Sequence, residues 1–376
     1  MRIVRIDIYR FSLPFVTPVK VGGETLQERE GLLVVLTDDE NRLGYGEIAP
    51  LPGFDVSTLD RCLRDVPSLE NSLNYATLQY DLFQLPAPLL GITDVDAASS
   101  WTGHTLFGVE SALLGLYLQK KNTEGRTTIG PPPDEPLRIP VNGLFIPNLT
   151  ADNLERQFRD LEKDGAKTFK IKVGRHPAEE EIRQIRRLVE KLGSGISLRL
   201  DGNRNLAPEA YRRYFEALHD LPVEYVEEPL PEDVLERAAN VPWPLALDES
   251  LAGFLDPEEP SLSRLNPAVR AVILKPGPLN GLHAMARAVR SAEEAGLRTT
   301  LSSAFNTGLT LAVLGLFSRL AGLPPETAHG LDTLRYLVGD VLLPSPTISK
   351  GMLEIPNGLL SGDYSLNKSC IREKVL

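Results

Sequence analysis

Thr168-Phe-Lys-Ile-Lys-Val173 is a short apolar alternation carrying two lysines, and runs of the same kind recur downstream. Ser197-Leu-Arg-Leu-Asp201, Glu224-Tyr-Val-Glu227, Leu245-Ala-Leu-Asp248, Ala271-Val-Ile-Leu-Lys275 and Arg298-Thr-Thr-Leu-Ser302 follow it. Arg138–Asn142 stands upstream and a weaker Thr327–Gly330 closes the series. Their apolar and β-branched content reads as strand. Between them lie helix-like stretches, Leu154–Lys163, Pro177–Leu192, Pro208–Leu218 and Leu282–Ala295. Eight strands spaced about 25 residues apart, each followed by a helix, make up a (β/α)₈ barrel. The first and last units are weak, which leaves seven helices or an open doubly wound sheet as alternatives.

Barrel enzymes place their chemistry at the C-terminal ends of the strands. Five successive strand ends here carry a charge, in the order Lys170/Lys172, Asp201, Glu227, Asp248 and Lys275. Each follows an apolar run that a barrel buries on both faces, and charges are seldom buried without partners. A lone acid at a strand end is usually a helix cap or a loop ion pair, and Lys-x-Lys is usually a solvated face; Glu228 and Glu249 read as supports behind the ligands or as rim residues. The ordered set is harder to explain that way. Three carboxylates converging on one rim repel unless a cation neutralises them. Oxygen donors without His or Cys favour a hard ion, Mg²⁺, with Mn²⁺ as the alternative. Lys170 and Lys172 share one face of their strand. A second ammonium and a nearby divalent cation would lower one lysine's pKa far enough for it to act as a base.

Outward from the barrel, the chain reads as α+β on its N-terminal side. Ile3–Phe11 and Gly31–Asp38 are expected strands, Gly44–Phe54 a Gly- and Pro-dense loop, and Gly108–Lys121 a helix. Asn122–Pro136, polar and then Pro-rich, is the candidate linker. Beyond the barrel, Gly351-Met-Leu-Glu-Ile-Pro-Asn-Gly358 reads as a short strand and turns. A length of 376 residues exceeds one ordinary core, so two domains are expected. The net charge of -11 argues against nucleic-acid or anionic-membrane partners. Cys62 and Cys370, far apart in sequence, make no metal spacing and suggest a reducing compartment. The N-terminal alternation is not a signal peptide, and no apolar run is long enough to span a bilayer; a cytoplasmic location is expected. No Gly-rich phosphate loop is present. The oligomeric state is left open.

Lys170-x-Lys172, Asp201-x-Asn203, Glu227-Glu-Pro229, Asp248-Glu-Ser250 and Lys275-Pro276 resemble the signature of the enolase superfamily, muconate-lactonizing subgroup. Gly46-Glu-Ile-Ala-Pro-Leu-Pro-Gly-Phe54, Phe107-Gly-Val-Glu-Ser-Ala-Leu-Leu114 and the Arg199-Leu-Asp201 triplet are most similar to the o-succinylbenzoate synthases within it. The resemblance runs from Met1 to about Leu320 and implies a modified TIM (β/α) barrel under an α+β cap. The implied division is a capping domain at 1–130, the barrel at 131–335, and a segment at 336–376 returning to the cap.

For the site, the resemblance implies Mg²⁺ held by Asp201, Glu227 and Asp248, with Lys172 as the base that takes a proton beside a carboxylate. Lys170 would tune Lys172, Lys275 would face the enediolate, and Arg199, Asn203, Ser302 and Ser303 would line the substrate pocket. Segments Leu51–Phe54 and Pro18–Arg29 would close over a small carboxylate substrate. The implied reaction is a lyase step, the syn dehydration of a succinyl-hydroxycyclohexadiene carboxylate in menaquinone biosynthesis. Gly202 replaces the family's usual Ala, and Ser302-Ser-Ala-Phe-Asn306 departs from the expected pattern.

N-acylamino acid racemase, dipeptide epimerase and muconate cycloisomerase would use the same groups. However, Thr327-Ala-His-Gly-Leu-Asp332 lacks the paired acids of an amine-gripping strand eight. A barrel kept only for binding would have lost a lysine or an acid, and none is lost here.

Overall fold

The computed structural model describes residues 2–73, 100–123, 135–147, 150–231, 242–255, 262, 265–358 and 364–376. Most of the candidate linker Asn122–Pro136 lies outside them.

The N-terminal part is an antiparallel sheet backed by two helices. Strands β1 (Ile3–Val21), β2 (Glu24–Asp38) and β3 (Leu43–Ile48) are joined on the outer edge by a late strand, β16 (Ile371–Lys374), in the order β16-β1-β2-β3. Helices α1 (Leu59–Leu73) and α2 (Gly103–Thr123) pack on it, and Ile6, Ile8, Leu32, Val34, Leu36, Val109 and Leu113 meet in a separate small core. The stretch from Gly44 was read as loop because of its glycines; in the structure its first part is β3. The glycines are what allow β3 to lie against α2. A Cβ on Gly44 would stand 2.0 Å from the Ala112 carbonyl oxygen, and one on Gly46 would stand 1.7 Å from that of Gly108.

The catalytic-type half is a parallel sheet in the order β11-β10-β9-β8-β7-β6-β5. Its strands are β5 (Gly143–Phe145), β6 (Thr168–Lys172), β7 (Ser197–Asp201), β8 (Val223–Glu227), β9 (Leu245–Leu247), β10 (Val269–Leu274) and β11 (Arg298–Leu301). Helices α3 (Ala151–Asp164), α4 (Ala178–Leu192), α5 (Pro208–Leu218), α6 (Gly281–Glu294) and α7 (Gly308–Leu320) surround it. The amphipathic faces of α3 to α5 bury Leu154, Phe158, Ile185, Leu188, Tyr211 and Tyr214 against the strands.

Two sequence expectations shift. Arg138–Asn142 was read as the first barrel strand, but its apolar part, β4 (Leu137–Pro140), pairs antiparallel with β14 (Met352–Ile355), which also pairs with β13 (Thr347–Ser349). The first barrel strand is instead β5. Residues 327–330 form no full eighth strand. They close the barrel through single bridges, Val141 with His329 and Ser302 with Gly330. His329 supports that seam with its ring, as Nδ1 accepts the Leu301 N–H at 3.1 Å. Burial, then Arg199 and Arg319, push its pKa down to about 3, so the ring is a neutral acceptor. The architecture is a modified TIM barrel with an α+β cap. Among the described residues no helix is long and apolar enough to cross a membrane.

Candidate active site

Asp201 and Glu227 end β7 and β8, Asp248 follows β9, and Lys170, Lys172 and Lys275 stand at or just beyond the ends of β6 and β10. The parallel register sets Lys172 beside Asp201 and Asp201 beside Glu227, so the charges share one rim. All three acids are buried. Lys170 Nζ lies 2.6 Å from Glu227 Oε1 and 2.7 Å from Asp201 Oδ2. Lys172 Nζ donates to Asp201 Oδ2 at 2.6 Å and to Asn203 Oδ1 at 2.7 Å. On the other flank Lys275 Nζ donates to Asp248, and the Phe54 ring of the cap lies 4.3 Å over the same ammonium.

The electrostatics separate the two β6 lysines. Burial lowers the Lys172 pKa; Asp201 pulls it back up and Lys170 pushes it down, with a net fall. Burial also opposes the charge on Lys170, but Asp201, Glu227 and Asp248 together overcome it and hold its pKa well above the ordinary lysine value. Lys275 is raised in the same way, chiefly by Asp248 against burial. Burial, with repulsion from Asp201 and Asp248, pushes Glu227 up to about 8. Asp201, between two ammonium groups, is held low despite its burial.

Among the described residues no three His, Cys, Asp or Glu side chains are grouped tightly enough to enclose an ion as they stand. The Lys170 ammonium sits between Asp201 and Glu227. The donor set nonetheless fits a hard divalent cation. It supplies carboxylate oxygens from three adjacent strand ends, and the raised Glu227 is an acid short of positive charge.

The substrate-contact candidates divide. Asn203 stands at the rim between Lys172 and Glu249. Ser302 is buried at the barrel seam beside Gly330, and Ser303 Oγ donates to the Gly330 carbonyl at 3.2 Å and lies 2.8 Å from Thr333 Oγ1. Arg199, two residues back from Asp201, is buried inside the barrel rather than at its mouth. Its guanidinium pairs with Glu224 at 2.8 Å, donates to the Ala328 carbonyl at 2.6 Å, and lies 5.2 Å from the Tyr225 ring. A period of two places residues 199 and 201 on one face, but one layer apart in depth.

Several supporting residues carried no separate signal in the sequence. Glu228, fully buried with φ at 39°, accepts the N–H groups of Asp248 and Ser250 at 2.8 Å each and the Ser250 hydroxyl at 2.7 Å. Glu47 of the cap accepts from Asn306 Nδ2 at 3.1 Å and from the Thr307 and Thr310 hydroxyls at 2.7 and 2.6 Å, at the start of α7. Arg29, also fully buried, donates to the carbonyls of Ala49, Pro50 and Phe305 and so ties the cap loop to the end of β11. In that loop Asp55 Oδ2 accepts the Leu51 N–H at 2.6 Å and lies 3.3 Å from His104 Nε2.

A lysine pair and a single lysine flanking three buried carboxylates on a capped, modified barrel define a class, and comparison with known proteins agrees. The chain belongs to the enolase C-terminal domain-like family, whose profile matches residues 153–359. Residues 1–96 match the profile described as MenC, N-terminal domain. Among curated relatives, the o-succinylbenzoate synthase of Klebsiella pneumoniae (strain 342) is 27% identical over 356 residues, covering 93% of this chain and 97% of the relative. Protein PHYLLO, chloroplastic, of Arabidopsis thaliana is 28% identical over 357 residues; the match covers 84% of this chain and only 20% of that protein's length. Among solved structures, the muconate lactonizing enzyme from Mucobacterium Smegmatis complexed with muconolactone superposes with a TM-score of 0.76 at 21% identity, covering 99% of this chain and all of that one. The dipeptide epimerase from Enterococcus faecalis V583, complexed with Mg and a dipeptide, gives 0.75 at 20% identity, covering 94% and 97%. At these identities the two structures speak to the fold alone.

Proposed function

We propose that the chain catalyses the o-succinylbenzoate synthase reaction, the Mg²⁺-dependent syn dehydration of 2-succinyl-6-hydroxy-2,4-cyclohexadiene-1-carboxylate. The observation that carries this reading is the match of the cap to the MenC N-terminal domain, above a rim that sets lysines on both sides of three buried acids. Asp201, Glu227 and Asp248 would hold the ion, which when bound supplies charge stabilisation for the substrate carboxylate.

Lys172 is the base. Its lowered pKa lets a fraction of it exist as free amine, and it takes the proton on the carbon beside the carboxylate. Lys170, kept as ammonium by Asp201 and Glu227, disfavours a second charge on Lys172. Lys275 faces the negative charge that develops on the carboxylate as the proton leaves. Lys172 then returns its proton to the departing hydroxide on the same face. Water leaves and the ring becomes aromatic. Phe54 over Lys275 places the cap loop where it excludes solvent. Asp332, the acid nearest strand eight, is bound by Arg335 at 2.6 Å, which leaves it poorly placed to grip a substrate amine.

The test is a spectrophotometric assay of aromatisation with Mg²⁺ and with EDTA. Rapid turnover abolished by EDTA and restored by Mg²⁺ is the expected result. Failure of folded, Mg²⁺-supplied protein to turn the substrate over overturns the reading and shifts it to α-proton exchange on an N-acylamino acid.

A further inference from the structure

The turn after β7 and the turn after β9 meet at one side-chain amide. Asn203 Oδ1 accepts from Lys172 Nζ at 2.7 Å, while Asn203 Nδ2 donates to Glu249 Oε1 at 3.0 Å. An ammonium can only donate and an ionised carboxylate can only accept, whereas an amide has one end of each kind. Lys172, Asn203 and Glu249 therefore form a chain with a single consistent direction, in which the lysine and Glu249 select the same orientation of the amide. The backbone of Asn203 is fixed as well. It sits at φ 43°, its N–H donates to Asp201 Oδ1 at 3.0 Å, and its carbonyl accepts Asn205 Nδ2 at 2.8 Å. The amide can therefore invert about its last torsion but cannot easily move away. Among the described residues the second Glu249 oxygen, Oε2, is buried without a hydrogen-bond partner. Asn203 is then the hydrogen-bonding purpose this carboxylate visibly serves.

We infer that Glu249 is a positioning residue for the base: by holding Asn203 Nδ2 it keeps Oδ1 on Lys172 and so aims the lysine at the substrate. The inference rests on the assignment of Lys172 as base under the proposed function. It differs from the rival route in which Glu249 acts through its charge on Lys275, to which it also contributes.

A double-mutant cycle with Asn203 separates the two routes. Glu249→Gln keeps size but weakens the hold on Asn203, because a neutral carboxamide accepts less strongly than a carboxylate and its own donor end can compete with Lys172 for Asn203 Oδ1. Loss of a hydrogen bond to a charged group is expected to lower kcat by about 10- to 100-fold, with KM within roughly twofold because the aim of the base matters in the transition state more than in binding. In an Asn203→Ala background the same Glu249→Gln change is expected to lower kcat less than about twofold. The swap Asn203→Asp with Glu249→Gln restores a consistent direction and is expected to recover most of the lost kcat. An equal kcat factor in both backgrounds overturns the inference, whatever the stability data show.

The cycle is also read by thermal unfolding, which needs no turnover. Direct pairing makes the two Tm losses less than additive in the double variant. If the folded parent does not turn the substrate over, the functional reading falls on its own and the Tm cycle decides the chain: sub-additive losses support it and additive losses overturn it.

Discussion

Replacing Glu110 by Gln should stabilise the protein, and by more at alkaline pH than at pH 6. Glu110 lies on the buried face of α2 and reaches across to α6, where Oε2 accepts the N–H groups of Leu282 and, at 3.2 Å, His283. It is fully buried, and burial, only partly offset by those two donors, pushes its pKa up to about 8. The neighbouring His283 side chain is itself lowered by burial and then by Arg287 and Arg290. The native state thus binds one proton more than the unfolded state between about pH 4.5 and pH 8, and stability falls as pH rises through that window. With an unfolded pKa of about 4.3, the loss accumulates at about 1.4 kcal/mol per pH unit below pH 8. From pH 6 to pH 9 it sums to about 2.7 kcal/mol for this one group. Gln keeps an oxygen for the two backbone donors and removes the ionisation, so the variant lacks this slope. Urea unfolding of parent and variant at pH 6, 7, 8 and 9 measures it, and every other titrating group cancels in the difference. A parent–variant difference that stays flat from pH 6 to pH 9 would show that folded Glu110 is already ionised below pH 6 and would refute the reasoning.

Three further outcomes are expected. Lys172→Ala should lower turnover by roughly 10²- to 10⁴-fold in the aromatisation assay, with circular dichroism unchanged; near-normal turnover would remove Lys172 as base. Glu228→Gln should weaken Mg²⁺ binding by about 10- to 100-fold in isothermal titration calorimetry, because Glu228 fixes the backbone of Asp248 and Ser250; unchanged affinity would make it a folding residue only. Gly46→Ala should destabilise the cap by more than about 3 kcal/mol, since its Cβ would fall 1.7 Å from a helix carbonyl oxygen; a Tm within two degrees of the parent would contradict that close approach.

The barrel could be read from the chain because its parallel strands are buried on both faces and so become apolar runs ending on a charge. Lys172, Asp201, Glu227 and Lys275 stood out for that reason, and helix α5 falls at Pro208–Leu218 as its periodicity indicates. What escaped depends on partners distant in sequence. Leu137–Pro140 alternates like a barrel strand, but which strand it joins is decided by residues 352–355, more than 200 positions later. Strand β3 was hidden by Gly44 and Gly46, which look like loop until α2 is seen lying on them. Arg199 has the right residue type and spacing for a pocket contact; only the depth of the barrel layers shows its guanidinium directed at Glu224 and Ala328. Glu249 reads from the sequence as either a rim acid or a support behind the ligands, because hydrogen-bond direction through Asn203 is a property of three dimensions.

The outer edge of the cap sheet has a consequence for how the chain is made. Strand β1 finds β2 within a hairpin, but its other edge is covered by β16, with Tyr9 opposite Lys374. At a synthesis rate of about 5–20 residues per second, roughly 20–70 s separate the emergence of those two partners. Through that interval the edge carries unpaired backbone donors and acceptors, the condition under which one nascent chain can pair with another. Arg5, Asp7 and Arg10 along β1, and Lys374 opposite, where it pairs with Asp7 at 2.7 Å, are charges that discourage such pairing while the edge waits. Chains stopped at residue 364 should therefore show more association in sedimentation than the full chain, and replacing Arg5 and Arg10 by Val should increase it further.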